Sequence, residues 1–146
     1  MRSARTAFAA TLVVIGSVVS AQLLPANEDG VKSTLRAIAS GQITYSAVCA
    51  AGFFAPSLEA LAKPEPGNKD GFILRTDVPA KGAKVLEKWR YRIEMTAAPD
   101  PKSPASCNGV PAGGSAKTWS ATARPMPGYR GKSYKIDAEG VLTEIK

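Results

Sequence analysis

The chain has 146 residues, 45% of them hydrophobic, and a formal net charge of +7. That length fits one domain with a modest core. It holds no His and only two Cys, which excludes Ser-His-Asp and Cys-His catalysis, the commonest metal ligand and any four-sulfur zinc site.

The chain opens with Arg2 and Arg5, followed by an uncharged, mostly apolar run, Thr6 to Ser20. Val19 and Ala21 place small residues where a signal peptidase reads. A basic start, an apolar stretch and a small-residue cut site make a secretory signal, with cleavage between Ala21 and Gln22. The expected organisation is a signal peptide over 1–21 and a single domain over 22–146. The alternative is an uncleaved anchor, since Thr6 to Leu24 is 19 uncharged residues, enough to span about 30 Å of hydrocarbon. Ser17, Ser20 and Gln22 weaken that span, and Pro25 is expected to stop it. Export also fits the cysteines: in an oxidising compartment Cys49 and Cys107 are expected to pair.

A helix is expected from Ala26 to Ala50, with Asn27 as its N-cap. Glu28 and Asp29 suit the positive end of the helix dipole. Val31, Leu35, Ile38, Tyr45 and Cys49 recur at helical spacing, with Gln42 filling the gap, and form one stripe for packing on a sheet. Gly41 weakens the helix by about 1 kcal/mol relative to Ala, and Gly52 ends it. Ser57 caps a short turn with Leu58 and Leu61 inward, and the loop Lys63–Gly71 follows.

Strand patterns fill the second half. Phe72–Val78 alternates weakly. Trp89–Thr96 alternates clearly, with Trp89, Tyr91, Ile93 and Met95 on one side and Arg90, Arg92, Glu94 and Thr96 on the other. The arginines then face away from the aromatics, so a core face and a wet face explain the pattern better than nucleic-acid binding. The scattered basic residues give no cationic run either. A long Pro/Gly/Ser loop carries Cys107 and needs an anchor to be ordered. Next comes a strand with Trp119, Ala121 and Ala123 on one face. A final hairpin runs through Tyr134 and Ile136, turns at Asp137–Gly140, and continues with Val141, Thr143 and Ile145. Asp137 reads as a turn aspartate bonding its own backbone rather than as a calcium ligand. The order predicts an α+β domain: one N-terminal amphipathic helix packed on a small antiparallel sheet.

Several stretches resemble type IV pilin-like and type II secretion pseudopilin-like proteins. Ala26, Asn27, Glu28, Leu35, Arg36, Ile38, Gln42 and Tyr45 match the pattern of the long N-terminal helix in a bacterial subgroup of these proteins. Phe54-Ala-Pro-Ser-Leu58 continues it. Near the other end, Thr122 to Pro125, the strand with Tyr134 and the Asp137–Val141 turn, with Gly140, resemble the family's last strands. The resemblance covers roughly half of the chain. It implies a pilin-like fold and a part in envelope assemblies. The family's N-terminus has a short leader ending in Gly, then a glutamate at the fifth place and an apolar half-helix. Here Gly16 is followed by Ser-Val-Val-Ser-Ala, and the first acidic residue is Glu28.

The reading is an exported, non-enzymatic pilin-like domain, periplasmic or secreted and monomeric rather than filamentous. It is expected to meet an envelope protein partner, with no cofactor, metal or nucleic acid, and to touch the membrane only through an uncleaved leader. The alternative is an inner-membrane-anchored pilin or pseudopilin subunit. A small enzyme would need a Lys or carboxylate base for its nucleophile, and no such pair is visible. A ligand module around Trp89 and Trp119 competes with plain core packing of both rings.

Overall fold

In the computed structural model the backbone is described from Val19 onward and side chains from Pro25 onward. The signal-peptide reading therefore lies outside the described residues. Of the cleavage pair Ala21 and Gln22, only the helical backbone is described.

The fold is α+β: one long helix on a five-stranded antiparallel sheet. Helix α1 runs Val19–Val48 and helix α2 Leu58–Ala62. Strands β1 (Val85–Lys88), β2 (Tyr91–Pro99), β3 (Ala116–Pro125), β4 (Ser133–Asp137) and β5 (Leu142–Ile145) form a meander in sequence order. Each strand pairs with the next through a short connection, except that a long loop joins β2 and β3. One sheet face carries Leu86, Ile93, Ala121, Ala123, Tyr134 and Ile136, all buried with Val31, Leu35, Ile38 and Tyr45 of α1. The helix thus docks on the face that holds Tyr91 and Ile93, through the stripe its sequence spacing predicts. The opposite face, with Arg92, Glu94, Arg124, Lys135 and Thr143, is open.

Helix α1 starts earlier than expected. It runs through Pro25, so Asn27 sits inside it and caps nothing. Proline's fixed φ is itself helical, and its cost is a lost backbone bond and a crowded preceding turn. The Ala, Gln and Leu residues before it favour helix.

Three strand expectations need correction. Phe72–Val78 is not a strand: Arg75–Asp77 forms one turn of 3-10 helix, and Leu74 is 70% exposed. Tertiary contacts override the weak alternation here. Phe72 packs edge-on to Tyr45, and buried Asp77 accepts a 2.6 Å bond from Lys88. Trp89 and Arg90 lie outside the strand, at positive φ (57° and 61°), in a two-residue turn from β1 to β2. Strand β1 is an element that the sequence pattern does not predict. In the last hairpin Leu142 opposes Ile136 and Glu144 opposes Tyr134. Leu142, not Val141, therefore shares the core-facing side, and Val141 is 52% exposed.

Gly41 is where the chain crosses α1. A Cβ there would meet the Phe72 carbonyl oxygen and Ile73 Cγ2 at 2.6 Å. Gly41→Ala should therefore destabilise the domain by about 1–3 kcal/mol, although Ala is the better helix former by about 1 kcal/mol. Chemical denaturation measures it, and a stabilised variant would mean that the Phe72 segment moves aside freely.

Candidate interaction surface

The helix residues that carry the resemblance act mainly as structure. Leu35, Ile38, Gln42 and Tyr45 are fully buried. The Gln42 amide clamps Ala55: Nε2 donates to its carbonyl at 3.0 Å, and Oε1 accepts from its N–H at 2.8 Å. The Tyr45 hydroxyl lies 3.5 Å from Ser115 Oγ. Arg36 is exposed and Asn27 half-buried. At the other end of α1, a disulfide joins Cys49 to Cys107, with Cα atoms 4.8 Å apart. It anchors the long loop together with buried Asn108, whose amide donates to the carbonyls of Ala60 (2.7 Å) and Lys63 (2.9 Å). A disulfide of this kind belongs to an oxidising compartment. In the last turn Asp137 Oδ1 accepts the Val141 N–H at 2.9 Å, and Gly140 has φ 78°.

The distinctive chemistry gathers at one end of the sheet, where Glu28 ties α1 to the β3–β4 connection. Glu28 accepts from the Lys132 backbone N–H at 3.1 Å and from the Tyr134 hydroxyl at 2.9 Å. Lys32 Nζ lies 4.9 Å from the centre of the Tyr134 ring. Tyr91, fully buried, stands edge-on to Tyr129 at 5.6 Å. Trp89 lies against Gly30, leaving no room for a Cβ there, and its Nε1 donates to Thr34 Oγ1 at 3.1 Å. The residue as a whole remains 43% exposed.

Cations surround this end. The Arg90 guanidinium sits 5.2 Å from the centre of the Tyr129 ring. Arg92 and Arg124 are direct cross-strand partners on the open face, an arrangement that like charges disfavour. Most nearby carboxylates are engaged: Glu28 as above, Asp77 with Lys88, Glu144 with Lys132 at 2.9 Å, and Glu87 with Arg92 at 3.8 Å. Among the described residues, Arg124 and Arg130 have no ion-pair partner.

The turn that presents Trp89 and Arg90 is costly. Two successive residues at positive φ normally call for Asn-Gly or Asp-Gly, and a side chain in that region costs roughly 1–2 kcal/mol. No sequence signal reveals it, because neither residue is a turn former and both extend the alternation of β2. Arg90 therefore lies in a turn and not on the wet strand face that the alternation predicts.

Burial raises the pKa values of Tyr91 and Tyr134 well above the usual 10.0, and the Glu28 carboxylate adds to the effect. The unfolded chain ionises first, so stability from these rings is full below pH 10 and falls as pH rises above it. At pH 11 the domain should be less stable than at pH 9 by about 1.4 kcal/mol for each ring. Denaturant titrations at both pH values check this, and Tyr134→Phe should halve the loss.

The geometry defines a two-layer α+β domain closed by one disulfide, with a cationic, aromatic end beside its long helix. No protein-family model matches the chain, and no curated protein or solved structure matches it. Among the described residues, no helix is long and apolar enough to cross a membrane.

Proposed function

We propose that the protein is an exported, non-enzymatic pilin-like domain that works in the cell envelope through contacts with another protein. The observation that carries this reading is the role of the residues in the resemblance. Leu35, Ile38, Gln42 and Tyr45 seat one long helix on a β-meander and clamp the Ala55 segment beneath it. The disulfide supports a periplasmic or secreted location.

The anchored-subunit reading draws on a separate observation. Helix α1 continues through Pro25 to Val19, so the proline does not separate the domain from the apolar run before it. N-terminal sequencing of the native protein, with cell fractionation, decides between the two. Gln22 as first residue in the periplasm or medium supports the free domain. Met1 intact in the membrane fraction supports the anchored subunit. Recovery from the cytoplasm with both cysteines modifiable by a thiol reagent would overturn both. In-cell crosslinking to an envelope protein is the expected partner result.

A further inference from the structure

We propose that the end of the sheet carrying Trp89, Arg90, Arg124 and Arg130 lies against an anionic phospholipid surface. The site of action rests on the export reading, whereas the binding itself does not.

Three observations place a bilayer here. First, charge: Arg124 and Arg130 have no carboxylate partner among the described residues, and Arg124 stands directly across from Arg92. A layer of headgroup phosphates relieves that repulsion, and guanidinium groups match phosphate geometry well. Second, shape: Trp89 and Arg90 form an exposed two-residue hairpin turn. The Trp89 ring is held by Gly30 and Thr34, and the residue as a whole is still 43% exposed. An amphipathic ring beside basic side chains is the pattern that settles at headgroup depth. Third, direction: α1 passes this end as it runs back from Glu28 to Val19. The helical backbone of residues 19–24 therefore lies beyond this end and not beyond the disulfide end.

The same features fit other polyanions less well. Tyr91 and Tyr134 are buried and Trp89 lies against the helix, so successive bases would find no stacking platform. An acidic protein would need a complementary hollow for the Trp89 turn.

The test uses the exported protein as isolated, with vesicles of phosphatidylcholine alone and vesicles containing one third phosphatidylglycerol. Binding is expected only to the anionic vesicles and should be lost in high salt. The double variant Arg90→Gln/Arg124→Gln should bind at least roughly tenfold more weakly. Lys69→Gln/Lys102→Gln removes the same charge from exposed loops away from this end and should bind within about twofold of the parent. Far-ultraviolet circular dichroism and melting curves identify any variant that has lost its fold. In that case brominated lipid quenching of Trp89 in the unaltered protein, with Trp89→Phe as the reference, gives the answer. Equal binding to both vesicle types would overturn the proposal, as would equal losses in both double variants or an unquenched Trp89. Preference for duplex DNA or an acidic protein over the vesicles would do the same. Failure to bind vesicles leaves export and partner contact standing, because those rest on fractionation and crosslinking.

Discussion

Replacing Cys49 and Cys107 together by serine should lower the stability of the domain by about 4 kcal/mol. The bond closes a loop across 58 positions, and on the chain-entropy account removing it returns that much freedom to the unfolded state. The native side should change little. Serine is slightly smaller than cysteine, and the Cys107 N–H still reaches the Cys49 carbonyl at 2.8 Å. Ser103, Asn108 and Ser115 keep their buried bonds to the loop and its neighbours. The denaturant dependence should therefore steepen as stability falls, because a longer free chain exposes more surface. A loss below about 1 kcal/mol would mean that the polar contacts of the loop hold it and the sulfur bridge adds nothing.

Gln42→Ala should cost about 3–5 kcal/mol. The change leaves the Ala55 N–H and carbonyl unpaired in a dry site, each worth about 1–3 kcal/mol, and opens space beside Met95, whose sulfur lies 3.4 Å from the amide nitrogen. Gln42→Leu separates the two effects. It fills most of the volume yet still strands both backbone groups, so it should recover no more than about half of the loss. A leucine variant as stable as the parent would show that Ala55 finds other partners.

Much of the helical layer was legible in the sequence. Val31, Leu35, Ile38 and Tyr45 recur at the period of a helix, and all four are buried. The Trp119, Ala121, Ala123 face was equally plain, since alternation in a half-wet strand has one solution. The pairing of two cysteines needed only their number. What stayed hidden depended on distant partners. Asp77 reads as a strand position until Lys88 draws it inward. Gly41 reads as a helix weakener until Phe72 crosses it. Trp89 continues the alternation of β2, so its turn became visible only with Gly30 and Thr34 beside it. The cationic end was invisible for a related reason. Its arginines come from β2, β3 and two connections, and no stretch of sequence holds them together.

The helix enters and the last strand leaves at the same end of the fold: Glu28 meets Lys132, and Ile145 pairs with Ser133. A pull on the two ends of the domain would therefore unzip rather than shear. Helix α1 would lift turn by turn while β5 peeled from β4 one rung at a time, so resistance to load should be low at first. The Cys49–Cys107 bridge lies at the opposite end and sets a hard stop. It withholds the segment between two cysteines 58 positions apart, roughly 200 Å of contour at full extension, until a reductant cuts it. Tethered under force, the domain should behave as a short leash whose full length is available only under reducing conditions.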